Sequence, residues 1–454
     1  MRKKEPWMKK AENMLECVAV LDNGPLYAEN FDIFYTPFQE PYRKDIVKQL
    51  QFIMRVPSNT KHKFVLAGHR GVGKSTELLR VSKLCTGYRT IFVNSSDAMG
   101  PKGTEYTNLL VLIADAVMKF GVKSGLLDED DTALIPLINY WNSELSINRT
   151  VQELKSKDEK LGITAELDGK LSTSFSILNK LKTIITLGTK LDASIGRKNS
   201  QILTVDEIIH TVIDKNDMLF VQALNVVLQK LEQYMLGERL LIVIEELDKS
   251  GQFELASDVF KDHVRAFLGI KADVIFTYPT HLQYDPEYSH VYDMFSNVFK
   301  LGVVELVRED KHYDIDVIMA FKELVYKRIQ KNLIDDDALT LAIEMSGGLI
   351  RDVFTLLSDA AVTAGVNLRE KITISDVKEA VTTLKDRYVK VIDIDNGFDK
   401  LVEIYNEPRR RMDLDLRKLL RAEVVLEYRD DRYVVHPIVL KFLKEIHKQV
   451  EEYV

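Results

Sequence analysis

Cysteine is almost missing from this chain: its 454 residues include two, Cys17 and Cys85. One possible pair makes no disulfide framework, and neither residue sits in a metal-ligand spacing. A disulfide-stapled scaffold and a cysteine metal centre are therefore excluded, and two reduced, buried thiols are expected. Long apolar runs are missing too, since none approaches the roughly 18 residues that a membrane-crossing helix needs. Met1 to Trp7 lead into a stretch carrying Glu12 and Glu16, with no apolar core or small-residue cleavage site. No secretory signal is expected there, and the expected setting is the cytoplasm with no membrane partner. A basic excess is also lacking. The net charge of −7 gives the whole chain no pull toward nucleic acid and leaves only local patches. There are no internal repeats and no low-complexity segment.

What remains is a chain equipped to bury large cores. Apolar residues make up 46%, which argues against global disorder, and the length suits two to four domains. Residues 1–60 read as helix, loop, helix, with Ile46, Leu50 and Ile53 on one face of the second helix, about 43–54. Lys63 to Ala67 form a short apolar strand, followed by a Gly-rich turn and a helix. Arg89 to Asn94 form a second strand, and 105–120 a helix. This order implies an α/β fold with a parallel sheet and right-handed crossovers. Residues 122–215 read as an insertion. Within 158–197 the apolar residues alternate with period two (Leu161, Ile163, Ala165, Leu167; then Ile185, Leu187, Leu191, Ala193), which predicts extended ribbons that need a covering partner or subunit.

The core resumes with a helix over 217–236. The continuous apolar strand Arg239 to Ile244 follows, as expected in a sheet covered on both faces. Ala272 to Tyr278 form another strand, ended by Pro279. Helices are expected over 315–331, 335–345, 350–364 and 374–388. The domain reading is 1–121 for N-terminal helices and the first part of the core, and 122–215 for the insertion. The second part of the core covers 216–312, a helical lid 313–390, and a small C-terminal unit 391–454.

The central motif is Gly68-His69-Arg70-Gly71-Val72-Gly73-Lys74-Ser75, with Thr76 opening the next helix. It satisfies G-x-x-x-x-G-K-[ST] at every position, between a strand and a helix. The glycines let backbone N–H groups curl around phosphates. Lys74 brings positive charge to the β- and γ-phosphates, and the Ser75 hydroxyl is a Mg²⁺ ligand. The helix N-terminus adds a dipole that favours the anion. Downstream, strand 239–244 runs into Glu245-Glu246-Leu247-Asp248-Lys249, a strand ending in carboxylates. One carboxylate can hold the metal and the next can polarise an attacking water. Glu245 takes the metal place and Glu246 the base place, with Asp248 able to share the first. Aspartate is usual at the first place, so the longer Glu245 is expected to slow turnover.

These segments, with Val274 to Pro279 and Gly347-Gly348-Leu349-Ile350-Arg351-Asp352, resemble the AAA+ ATPases in their order along the chain. They look most like the initiator and STAND-type bacterial and archaeal members, over residues 30–120 and 217–450. The resemblance implies a parallel-sheet P-loop core with Walker A and Walker B motifs, a helical lid, ATP and Mg²⁺ as cofactors, and ATP hydrolysis. It places Thr277 at the sensor-1 position, where asparagine is commoner. It places Arg351 at the sensor-2 position, reaching the γ-phosphate from the lid after a hinge at Gly347-Gly348. ATP is then expected to draw lid and tail together. Arg265 is a weak candidate for an arginine finger toward a neighbouring subunit.

Residues 396–454 read as two helices, two strands about the charged turn Arg429 to Arg432, and a closing helix, which is a winged-helix order. His436 before Pro437 is expected to cap the wing. Initiator ATPases use such a domain on DNA, and STAND ATPases use it to lock the resting state. The unit carries 12 Lys/Arg against 12 Asp/Glu, whereas DNA modules usually show a basic face. Arg409, Arg410, Arg411, Arg417, Lys418 and Arg421 could make a local patch. Three readings stay open: a switch ATPase working as a homo-oligomer or beside an effector protein, an initiator-like DNA-binding ATPase, and an inert nucleotide-holding scaffold. ATPases of this shape often serve with effectors in antiphage defence, which the resemblance alone suggests.

Overall fold

A computed structural model describes residues 8–38, 42–56, 60–100, 103–104, 106–128, 131–137, 140, 213–214, 216–248, 253–288, 290–392, 397–409, 411–429 and 431–446. The ribbons expected over 158–197 lie outside these residues. Five strands form one parallel sheet: β1 (Lys63–Gly68), β2 (Tyr88–Asn94), β3 (Arg239–Glu245), β4 (Asp273–Pro279) and β5 (Asn297–Lys300), in the spatial order β2-β3-β4-β1-β5. The first four match the expected strands within a residue or two. The short edge strand β5 carries no alternation long enough to announce it. Its register, Phe64 to Asn297 through Ala67 to Lys300, is set by β1. Strand β1, held between β4 and β5, is fully buried along its length. This is the α/β, parallel-sheet fold of P-loop NTPases.

Helices α1 (Met14–Val20), α2 (Ile46–Met54), α3 (Lys74–Leu84), α4 (Tyr106–Lys123) and α5 (Asp217–Tyr234) precede or interleave with the strands. Side chains of α4 and α5 cover one face of the sheet. Helices α2 and α3 cover the other. The lid consists of α6 (Ile315–Tyr326), α7 (Asp336–Met345), α8 (Ile350–Val366) and α9 (Ile374–Val389). Helix α6 stops five residues short of the expected 331 because the N-terminal segment captures the backbone beyond it. Ala11 N–H donates to Arg328 O, and Gln330 N–H donates to Ala11 O. Met14, Cys17 and Val20 of α1 are buried in the same core as the lid. Cys17 and Cys85 are both buried free thiols, and burial pushes them up to about 12 and about 11.

The C-terminal unit is α10 (Gly397–Asn406), α11 (Leu414–Arg421), the antiparallel pair β6 (Val425–Glu427) and β7 (Tyr433–Val435), and α12 (Pro437–Ile446). Strand alternation gives this hairpin two buried faces. Val425, Tyr433 and Val435 join the lid core, while Leu426, Tyr428 and Val434 join the core beneath the sheet. The tail is thus wedged between the lid helices and the sheet core. Among the described residues no helix is long and apolar enough to cross a membrane.

Candidate functional site

The loop between β1 and α3 needs left-handed backbone at Gly71 (φ 85°) and Gly73 (φ 94°), which glycine adopts without strain. A Cβ at Gly71 would also stand 2.7 Å from the Cβ of Arg351. The lid therefore lies directly on the loop, and Arg351 N–H donates to Gly71 O at 3.1 Å. Lys74, at the start of α3, is buried. Its ammonium donates to Gly68 O and His69 O, both at 2.7 Å, and pairs with Asp248 at 2.8 Å. All three of its protons are thus engaged.

A cleft of about 390 Å³ opens between this loop and the lid. One wall carries Arg70, Lys74, Ser75 and Thr76, with Glu246 and Asp248 beside them. Glu245 ends β3 and is not among the lining residues. Glu246 follows in left-handed backbone (φ 70°), and its carboxylate accepts from the Ser96 hydroxyl in the turn after β2. Thr277 does not reach the cleft. It is buried in β4 and braces the acidic turn: its Oγ1 accepts from Leu247 N–H at 3.1 Å and donates to Ile244 O at 3.3 Å. Arg265 is exposed.

Arg351 lines the cleft as expected, but its guanidinium is held by carboxylates. Nη2 meets Glu423 of the tail at 2.5 Å, and Nε meets Asp352 at 3.2 Å. Asp352 is fully buried. Burial pushes its pKa up, yet the adjoining His436, then Arg351, hold it down to about 2. His436 lies 3.2 Å from Asp352, and the Tyr388 hydroxyl donates to the same carboxylate at 2.5 Å. The expected wing cap thus ties the tail to the lid.

Three features escape a sequence reading. His69 Nε2 accepts from Glu427 N–H in β6 at 3.0 Å, joining phosphate loop to tail. Burial first, then Lys74 and Lys300, hold that imidazole down to about 3. Glu427 itself is buried and takes Lys300 of β5 and the Tyr284 hydroxyl. Finally, Asn23, Gly24 and Pro25 line the same cleft, together with Arg328, Phe354 and Thr355. A lone Asn-Gly-Pro in the sequence reads as an ordinary turn, and only the tertiary fold brings it here.

No family model matches the chain, and no curated protein matches it. Solved structures that resemble it include Cdc6p from Pyrobaculum aerophilum, at 14% identity and a TM-score of 0.39, covering 91% of this chain and 98% of that one. The Aeropyrum pernix Orc1 protein in complex with DNA gives 12% and 0.39, covering 93% and 96%. The Thermotoga maritima RuvB Holliday junction branch migration motor gives 12% and 0.33, covering 91% and 98%. Identities this low say nothing of activity.

Proposed function

We propose that the chain is an Mg²⁺-dependent ATPase switch. In this reading ATP binds and is hydrolysed between the Gly68–Thr76 loop and the lid. Nucleotide state sets how firmly the winged-helix tail stays docked, and through it assembly or the control of a partner protein. The supporting observation is that the tail grips the nucleotide machinery itself, with Glu423 on Arg351 and the Glu427 N–H on His69.

The residues divide the work as follows. Backbone N–H groups of the loop receive the phosphates, and Lys74 turns from Asp248 and the two carbonyls to meet them. Ser75 and the carboxylates facing the cleft offer hard oxygen donors, which fits Mg²⁺. Asp248 faces the cleft and Glu245 does not, so Ser75 with Asp248 would hold the ion. Among the described residues no three His, Cys, Asp or Glu side chains form a metal site on their own, so phosphate oxygens and water would complete its shell. The bound ion would neutralise phosphate charge. Glu246 polarises the attacking water once it lets go of Ser96. Asn23 to Pro25, Arg328, Phe354 and Thr355 form the wall that receives the base.

Arg351 gives the switch its direction. With Nε on Asp352 and Nη2 on Glu423, one of the two terminal nitrogens already serves the tail. A bidentate grip on a γ-phosphate through Nη1 and Nη2 would have to share Nη2 with Glu423, so ATP and the tail compete for one guanidinium. This replaces the expectation that ATP draws lid and tail together, because they are already joined through this residue.

The initiator-like reading needs a basic face on the tail. Arg409 pairs with Glu309, Arg417 with Asp285, and Arg429 and Arg432 with Glu305, all carboxylates outside the tail. That use of the arginines favours the lock. Lys74→Ala is expected to weaken ATP binding at least tenfold, since a charged contact is worth about 1.5–3 kcal/mol. Undiminished ATP affinity in that variant would remove the nucleotide reading. Turnover stimulated by duplex DNA would favour the initiator, and nucleotide binding with no turnover would favour the inert scaffold.

A further inference from the structure

The phosphate loop has a brace that its own motif does not contain. Arg43, just before α2, is buried, and its two terminal nitrogens reach different partners. Nη1 donates to Val72 O, inside the loop, at 2.8 Å, and Nη2 donates to Glu77, in the first turn of α3, at 3.2 Å. A guanidinium can serve both because its donors sit in a rigid planar fork. The fork is itself held. Glu77 is buried too and takes the Tyr35 hydroxyl at 3.1 Å and Arg80 at 3.3 Å. Arg80 in turn grips Asp45, the N-cap of α2, through both terminal nitrogens at 2.9 and 3.0 Å.

Stability alone accounts poorly for this pair, since taking two charges out of water offsets most of their attraction. The geometry of the loop gives it a use. In a trans peptide the C=O and the N–H that follows it point in opposite directions. Anchoring Val72 O therefore fixes which way the Gly73 N–H faces. Neither Arg43 nor Val72 lines the nucleotide cleft, whereas Gly73 does. Among the described residues the Gly73 N–H donates to no backbone acceptor. Gly73 sits at φ 94°, and glycine takes positive and negative φ about equally well. The motif by itself thus leaves the 72–73 peptide free to flip, which would turn a carbonyl oxygen toward an anion.

We propose that Arg43 is a positioning residue of the nucleotide site: by holding Val72 O on the side away from the cleft, it keeps the Gly73 N–H aimed at the phosphates. This rests on the nucleotide reading of the cleft. It adds to that reading a residue, 25 positions before the motif begins at Gly68, that sets the aim of a loop donor without touching the ligand. The brace acts by closing off the flipped peptide. A loop flipped about nine-tenths of the time would bind about tenfold more weakly, because only the competent fraction counts.

The sequence contains a single Val-Gly pair, Val72-Gly73. The full chain labelled with ¹³C-carbonyl valine and ¹⁵N-glycine therefore gives one carbonyl–amide correlation by NMR, whose carbon is the Val72 carbonyl and whose N–H is that of Gly73. In wild type, saturating ADP is expected to move the Gly73 proton downfield, as a new hydrogen bond to a phosphate does. Arg43→Lys keeps a charge for Glu77 but lacks the fork. In that variant the Val72 carbon is expected to shift before nucleotide is added, and ADP affinity to fall about tenfold. A role in stability alone would lower the melting temperature and leave this signal and the ADP affinity in place. If the lysine variant does not fold, Arg43→Gln combined with Glu77→Gln removes the buried pair together and strands neither charge. The same shift and the same loss are expected of it. A Gly73 signal that bound ADP does not move, or variants whose signal and affinity equal those of wild type, would overturn the proposal. Failure of wild type to bind ADP would count against the proposed function instead, and the Val72 carbon in the variants would still judge whether Arg43 holds the peptide.

Discussion

His69 is where the phosphate loop and the tail meet, and its chemistry is one-sided. Its Nε2 accepts a hydrogen bond from Glu427 N–H, so the docked form requires the neutral ring. The folded pKa is held down to about 3, against about 6.5 in an unfolded chain. A depressed histidine contributes its full stability above pH 6.5 and loses it as pH falls from there toward 3. One such group should cost about 1.4 kcal/mol at pH 5.5. Denaturant unfolding at pH 7 and pH 5.5 is expected to show a drop that shrinks by that amount in His69→Gln. Equal drops in both proteins would take His69 out of the coupling. Glu246 presents a different residue-scale balance. Left-handed backbone in a non-glycine residue costs about 1–3 kcal/mol, and the Ser96 hydroxyl holds the carboxylate in that pose. Glu246→Gln should slow turnover about 10²–10⁴-fold while ATP still binds. Ser96→Ala should turn over faster than wild type in a steady-state assay, and a slower Ser96→Ala would show that Ser96 positions the base rather than restraining it.

At the scale of elements, the joint between α7 and α8 departs from what its sequence suggests. Gly347-Gly348 reads as a loose hinge. In the fold both residues are left-handed, and a Cβ at Gly348 would lie 1.9 Å from the carbonyl oxygen of Val304. The glycines permit close approach of backbone to backbone, and Leu426 and Pro437 of the tail close over Gly347. Gly348→Ala is therefore expected to destabilise the protein by several times the ordinary cost of replacing glycine with alanine at positive φ, about 1 kcal/mol. A melting temperature within a degree of wild type would show that the joint yields. The contrast marks what could be read in advance. The phosphate loop, the acidic strand end and most lid helices were legible because strand–turn–helix chemistry and 3.6-residue periodicity are local. The fifth strand is four residues long and owes its existence to pairing with β1. The partners of His69, Glu246 and Arg351 lie 358, 150 and 72 residues away. No local pattern carries such distances, so the sequence points to Arg351 through the Gly-Gly turn before it and gives no sign of its grip on Glu423.

For the whole molecule the question is whether ATP alone can lift the tail. Leu426, Tyr428 and Val434 are buried under the sheet, and removing each from water is worth about 1.5–3 kcal/mol, or about 4.5–9 together. Tyr428 also donates its hydroxyl to Gly347 O at 2.9 Å. Recruiting Arg351 to a γ-phosphate supplies about 1.5–3 kcal/mol, a shift of roughly 10- to 150-fold. The apolar term exceeds the nucleotide term, so ATP should loosen the dock without emptying it. Full release needs a further contribution, such as a partner protein or a neighbouring subunit that binds only the freed surface. Tyr428→Ala removes much of the difference, since truncating a buried aromatic costs about 3–5 kcal/mol. Limited proteolysis should then cut the tail from Tyr428→Ala in ATP but not in ADP, while wild type stays largely intact in both. If ATP alone exposes the wild-type tail as fully as the variant's, the hairpin does not set the threshold, and the nucleotide contacts carry more free energy than Arg351 can account for.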